Sequence, residues 1–323
     1  MALNNTFREL AISLSPKQTQ LVDYTLEDSP VLEMIPFLPT SNGLNHVYEE
    51  LLDVSGNGMV DMDSELPYLD ANTELKQTSV SVLGGQMEVG EDKARQFGGP
   101  GAYFQSKLPV ILKKSGSDTE TSILYNSLRA GAIAAAANTK LVGRADHLIS
   151  AGGSDNTNYS IIAVRWEPGA VNGLYDPAGF GNGMFYDMEA INGGELYPTM
   201  KSAGKVLGYG MRLKQYIGML VANPRNVASI VNIDISDADP DNWDLPTANQ
   251  IDDIVAAVRG TTGGSTMLLM HPKVKTALNE FKASRLQTTV ETTNFNRTYE
   301  AWNGIPMVET YNFKRGDEPN VTV

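Results

Sequence analysis

Between Asp118 and about Asn138 the chain reads as one uninterrupted amphipathic helix, and no other stretch limits the possible folds so tightly. Ile123, Leu124, Leu128, Gly131, Ala132 and Ala135 recur at helical spacing. The apolar stripe shrinks to small residues toward its C-terminal half, so another element can approach that end closely. Ser117-Asp118-Thr119-Glu120 in front of it has the form of a capping box, with Ser117 as N-cap and Glu120 reaching back. At the α-helical rise this helix spans roughly 30 Å, long for a globular domain. It is either a long core helix or a scaffold along which a flat subunit is built, and residue types alone do not separate the two.

Upstream, Ser15-Pro16-Lys17-Gln18 reads as a helix start, with Ser15 as N-cap, Pro16 at the first helical position and Gln18 in the capping-box place. That helix runs to about Glu27. Asp28-Ser29-Pro30 stops it and offers Ser29 as the N-cap of a short apolar turn, Val31 to Ile35, ended by Pro36 and Pro39. Two short helical pieces of this kind have too few apolar positions to form a core alone. The preferred reading is an arm lying on other surfaces, and the alternative is a helical cap on the chain's own domain. From Leu44 to about Val110 the pattern turns β-rich, as in Thr78 to Leu83 and Leu108 to Leu112, with Gly- and Asp-rich turns and few large apolar residues. This is material for an extended two-stranded loop that projects from the body.

Downstream, Ser160-Ile161-Ile162-Ala163-Val164-Arg165-Trp166, Gly218 to Asn223, Ser229 to Ile233, Thr266 to Met270 and Ile305 to Val308 read as strands. Pro246 to Arg259 is amphipathic, with Ile251, Ile254, Val255 and Val258 on one face, and a further helix lies near Val274 to Ser284. The mixture predicts an α+β fold and not regular βαβ alternation. With 41% hydrophobic residues in 323, the chain can fill at least one core. It has no stretch near the roughly 20 apolar residues a membrane helix needs, and its start has no secretion-signal pattern, so a soluble protein made in the cytosol is expected. The absence of cysteine excludes disulfides, thiolate metal sites and a cysteine nucleophile, and with that compartment Asn-x-Ser/Thr triplets such as Asn296 to Thr298 carry no glycosylation argument. A net charge of −13 sets a phosphate-gripping function against long-range repulsion, although a wall that merely encloses nucleic acid needs no attraction to it.

Candidate chemistry is sparse. Asp53-Val54-Ser55-Gly56-Asn57-Gly58-Met59-Val60-Asp61 follows the opening of a calcium loop, but the twelfth position is Ser64 with Glu65 one place late, so a Gly/Asn/Asp turn is the better reading. Gly98-Gly99-Pro100-Gly101 and Gly179-Phe180-Gly181-Asn182-Gly183 lack the remaining features of phosphate-cradling loops and read as turns. The acidic run Asp237, Asp239, Asp241 and Asp244 reads as a solvated loop. His46, His147 and His271 have no metal-type spacing, and Arg315-Gly316-Asp317 reads as a coincidental turn. No catalytic residue, cofactor site or metal ligand is assigned, and a chain of this size without a convergent catalytic set is more easily structural than enzymatic.

The order of these elements resembles the major capsid proteins of tailed phages that share the Hong Kong 97 fold, especially the family of short-tailed phages. Ser15 to Pro39 stands for the arm of that family, Leu44 to Val110 for its long β-hairpin, the E-loop, and Ser117 to Lys140 for its spine helix. Further parallels are Leu141-Val142-Gly143-Arg144 after the spine, the strand Ser160 to Trp166, Gly218-Met219-Leu220-Val221, Arg225-Asn226-Val227 with Asn232-Ile233, and Gly304-Ile305-Pro306-Met307-Val308. The resemblance covers nearly the whole chain, and its force lies in the order of motifs that are individually weak. It implies an N-terminal arm (1–40), an E-loop with strands leading to the peripheral domain (41–112), a peripheral domain with the spine helix (113–155), an axial domain (156–300) and a closing C-terminal strand (301–323). It implies homo-oligomeric hexamers and pentamers in an icosahedral virion shell around double-stranded DNA, without sequence-specific binding and away from membranes. Scaffolding from a separate protein, a portal and a cement or decoration protein are the implied partners. The expected assembly segments are Leu21 to Ile35, Asp53 to Leu69 and the loops between Gly173 and Gly204. Competing readings are a tail, baseplate or decoration protein, an encapsulin-like compartment shell, and an enzyme using acidic pairs such as Asp61 and Asp63 or Asp239 and Asp241.

Overall fold

A computed structural model describes residues 5–14, 18–56, 58–138, 144–177, 186–199, 206–258, 266–278, 286–290, 298–314 and 316–323. Among them lie two seven-stranded sheets and a separate two-stranded one. The first sheet is organised by the 15-residue strand Leu207–Val221, which pairs antiparallel with Ser81–Gly90, Val171–Tyr175, Asp187–Ala190 and Tyr197–Pro198. Pro36–Pro39 extends this sheet by pairing in parallel with Val171–Tyr175. The second sheet runs in the order Leu286–Val290, Thr298–Trp302, Ile305–Glu309, Thr266–Met270, Tyr159–Arg165, Val227–Ile233, Leu148–Ser150. Its inner strands are mostly apolar because both faces are covered, with Ser160, Ser229, Asn232 and Thr266 as buried polar members. The two-residue period of a strand sends Ile162 and Val164 into one core, and Ile161 and Ala163 into the other. Helix Ala248–Ala257 covers the second core with Ile251 and Ile254, and Thr247 and Gln250 close a capping box at its start.

The central helix is far longer than its sequence pattern predicts. It begins at Pro100, runs α-helical to Ser122, continues as a π-helical segment over Ile123–Arg129 and ends α-helical at Ala137, roughly 55 Å in all at the rise of these helices. The expected start at Ser117 and the reading of Leu108 to Leu112 as a strand are therefore corrected. Phe104, Leu108, Leu112, Gly116 and Glu120 are buried at intervals of four, a stripe that Pro109 and two non-apolar members conceal. Pro109 is tolerated because the carbonyl it leaves without a helical donor, that of Gln105, belongs to an exposed residue that water can serve. The helix starts sharply at Gly99, whose φ of 121° only glycine adopts freely, with Pro100 at its first position.

The N-terminal pieces are also corrected, from an arm on other surfaces to a layer of the chain's own core. Phe7, Leu10, Val22, Leu26, Val31, Leu32, Ile35 and Phe37 are all buried in the main cluster with the central helix. The proposed Ser15 and Pro16 start lies outside the described residues. The Gln18 amide pairs in both directions with the backbone of Tyr186, at 3.2 Å and 2.9 Å. Contact between helix Thr19–Leu26 and the central helix depends on Gly116, where an added Cβ would lie 2.1 Å from the carbonyl oxygen of Thr25. Gly116→Ala is expected to lower stability by about 1–3 kcal/mol, as forced overpacking does. An unchanged urea midpoint would show that the two helices do not meet there.

What remains projecting is the hairpin Asn45–Ser55 and Asp70–Ser79, whose strands pair, among the described residues, only with each other. At about 3.3 Å per residue it reaches roughly 33 Å. Val80 ends it: its N–H donates to the Leu44 carbonyl at 2.8 Å, and its side chain is buried with Leu174, Leu220 and Ala222. The hairpin is thus shorter than the expected Leu44 to Val110, because Ser81–Gly90 joins the first sheet and the residues after it turn helical.

Candidate assembly surface and the latches that hold the frame

The hairpin strand Asp70–Ser79 is exposed along almost its whole length. At its tip Met59 (109% exposed), Met62 (104%), Leu66 (86%) and Tyr68 (83%) are largely open to solvent, and Leu69 is more than half exposed. Isolated two-stranded hairpins are marginal in water, and a group of large apolar side chains held away from the body marks a surface that another molecule covers. Val110 on the central helix is also exposed. Near it lies an open apolar cleft of about 490 Å³, lined by Leu21, Tyr24, Phe104, Leu108, Met188 and Met211.

The body that carries this hairpin is tied together by two buried carboxylates. Glu120, 0% exposed, projects from the central helix to the start of helix Pro30–Met34, where one oxygen accepts the N–H groups of Val31 (2.9 Å) and Leu32 (3.1 Å). Its other oxygen accepts the Thr310 hydroxyl and the Asn312 amide (2.9 Å). The cap expected from Ser29 is therefore supplied from a different element, and Ser29 itself makes no capping bond. The capping box expected of Ser117 and Glu120 is corrected too, since both lie inside the helix. Burial raises the Glu120 pKa above the ordinary carboxylate value, and its four hydrogen bonds oppose that shift in part.

Glu318 forms the second latch, pinning the C-terminal segment against the same helix. It receives the Arg129 guanidinium at 2.7 Å and the hydroxyls of Tyr125 and Ser160. Burial raises its pKa also, against the pull of Ser160, Tyr125 and Arg129, and both burial and the adjacent carboxylate push the Tyr125 phenol up. No sequence motif announces Glu318. For Glu120 a signal existed, a carboxylate standing in an apolar stripe between Gly116 and Ile123.

The other candidates fall in scattered places. Asp53 lies in a hairpin strand opposite Asn72, while Asp61 and Asp63 lie in the tip. Asn57 lies outside the described residues, as do Gly179-Phe180-Gly181-Asn182-Gly183, Leu141-Val142-Gly143, Arg315, Gly204 and Asn296 with Arg297. Among the described residues no group of three or more acidic or histidine side chains could hold a metal ion. Gly98 and Gly99 form the joint between helix Glu91–Gln96 and the central helix, both with positive φ. Asp237 and Asp239 accept backbone N–H groups two residues ahead, which folds the acidic run into successive tight turns. Each histidine serves local structure: His46 accepts from Ser41 N–H, His147 meets the Val227 carbonyl, and His271 caps the helix Pro272–Ala277. No helix among the described residues is long and apolar enough to cross a membrane.

The model of the family described as major capsid protein GP7 matches residues 133–319, more than half of the chain. Among solved structures, a chain of bacteriophage Epsilon15 aligns with a TM-score of 0.50 at 14% identity, over 87% of this chain and 87% of that one. A chain of the bacteriophage JBD30 capsid aligns with a TM-score of 0.46 at 11% identity, over 85% of this chain and 88% of that one. No curated protein matches.

Proposed function

With this chain a member of the major capsid protein GP7 family, built on the HK97-like α+β fold and forming a phage shell from copies of itself, we propose that it assembles as hexamers and pentamers through its hairpin. The observation that carries this reading is the projecting pair of strands with fully exposed Met59 and Met62 at its tip. Such side chains reach their free-energy minimum only when covered, and in a closed symmetric assembly the cover is another subunit. The apolar cleft beside the start of the central helix offers matching surface.

In the proposed arrangement the peripheral domain is framed by the central helix and the axial domain falls within residues 156–300. The shell encloses double-stranded DNA, and the net charge of −13 favours a wall that does not grip it. A separate scaffolding protein and a portal complete the particle, which is put together in the host cytoplasm. The protein works by geometry and not by catalysis.

Deleting residues 56–69 and joining the strands by a short turn is expected to leave a folded, soluble subunit that no longer closes shells. Electron micrographs of particles made with the phage partners present would check this. Shells at ordinary yield would refute the role given to the hairpin.

A further inference from the structure

The chain has no cysteine, so methionine is the side chain on it that a peroxide oxidises most readily. A thioether reacts only where the oxidant reaches its sulfur, and the described methionines divide sharply in that respect. Met59 and Met62, three positions apart at the hairpin tip, are fully open to solvent. Every other described methionine is partly or wholly buried, down to Met270 (0% exposed) and Met307 (2%) in the second core. The tip also carries Asp61, Asp63 and Glu65, all exposed, and their charge favours a neutral oxidant over an anionic one.

In the free subunit an oxygen added to either sulfur meets only water, so the fold does not register it. The covered tip does. Methionine suits an apolar contact because it is unbranched and adapts to irregular gaps. Its sulfoxide is polar, and burying it without a hydrogen-bond donor is disfavoured. A closed shell repeats the same contact at every copy, so a modest penalty in one subunit is multiplied through the particle.

We propose that Met59 and Met62 form a modification site for hydrogen peroxide, and that their sulfoxides leave the subunit folded but unable to close shells. A sulfur lone pair attacks one peroxide oxygen, and the S–O bond forms as the O–O bond breaks. The displaced hydroxide takes up the proton left on the transferred oxygen and departs as water. Sulfur is oxidised by two electrons and the peroxide is reduced by two, and methionine sulfoxide reductases reverse the change. The proposal rests on the reading that another subunit covers the tip, which also confines the reaction to subunits not yet assembled.

The test treats the full-length subunit with dilute hydrogen peroxide and maps the products by peptide mass spectrometry. Met59 and Met62 are expected to oxidise about tenfold or more faster than Met270 and Met307, with the urea midpoint unchanged. Subunits oxidised at both positions are expected to give about tenfold fewer shells with the phage partners present, and a methionine sulfoxide reductase is expected to restore the yield. Met59→Leu with Met62→Leu keeps the apolar volume without the sulfur, and is expected to close shells equally well before and after the same treatment. Should the leucine pair itself impair closure, the reductase decides, and a yield that stays low after reduction overturns the proposal. It is also overturned if the tip sulfurs oxidise no faster than the buried ones, or if the leucine variant loses as much yield on treatment as the wild type. Finished shells in which Met59 and Met62 oxidise as fast as in free subunits would sink the covering of the tip, and the modification site with it. Normal shells from fully oxidised subunits, while the tip-deleted chain closes none, would sink the modification site alone.

Discussion

Glu120→Ala is expected to cost the subunit about 4 kcal/mol or more, enough to exhaust much of the stability of an ordinary domain. The substitution removes the acceptor of two backbone N–H groups, at Val31 and Leu32, and of the side-chain donors of Thr310 and Asn312. All four sit in an interior where each buried donor left unpaired costs on the order of 1–3 kcal/mol, and partial access of water to the vacated space recovers some of the total. Glu120→Gln is expected to cost less, about 1–2 kcal/mol, because its carbonyl can still cap Val31 and Leu32. Its amide nitrogen would face the Asn312 amide, which cannot simply turn round, since it also donates to the Asp28 carbonyl at 2.8 Å. Equilibrium unfolding in urea would measure both, and a loss below about 1 kcal/mol for the alanine variant would show that this carboxylate is not a joint of the fold.

The same residue has a pH signature. Its folded pKa is raised, so the native state binds its proton more tightly than the unfolded chain does. Its contribution to stability is fully present below the ordinary carboxylate pKa and is lost as pH rises through the raised folded value. With 38 acidic residues contributing, the comparison of wild type with Glu120→Gln isolates this one. Above the ordinary carboxylate pKa the wild type should lose more stability than the variant as pH rises through that window. Parallel profiles would contradict the assignment.

Arg129→Met is expected to cost about 3–5 kcal/mol, because it leaves the Glu318 carboxylate buried without its cation. The double variant Arg129→Met with Glu318→Met should recover most of that loss, since two apolar side chains of similar length do not carry the desolvation penalty of a charge. A double-mutant cycle on urea unfolding separates the outcomes. If the double variant is as unstable as the single one, the pair acts through packing and not as a latch. Glu318 also orders the phenol of Tyr125 and the hydroxyl of Ser160, so the cycle reports the whole cluster and not one ion pair.

The inner strands of the second sheet were legible because each is a short, predominantly apolar run, and Tyr159–Arg165, Val227–Ile233, Thr266–Met270 and Ile305–Glu309 stand close to where the pattern puts them. Helix Ala248–Ala257 was legible from its apolar face. The first part of the central helix was not, because Pro109 and Gly116 are poor helix formers and their neighbours are mostly exposed. The hairpin was legible in kind, as strand material poor in large apolar residues. Its end at Ser79 was not, since the next ten residues have the same local character and differ in pairing with Leu207–Val221 of the first sheet instead of with the other hairpin strand.

Taken alone, the sequence determined the α+β class, the presence of a projecting hairpin, the main buried strands and the order of elements that resembles phage capsid proteins. Those follow from periodicity, turn chemistry and composition, which are properties of neighbours along the chain. Tertiary structure decided that the N-terminal helices complete the chain's own core, that a carboxylate of the central helix caps one of them, and that Arg129 and Tyr125 meet Glu318. Each of those outcomes joins groups some 90 to 190 positions apart, and the energy of a buried charge or an uncapped helix end depends on what folding brings beside it.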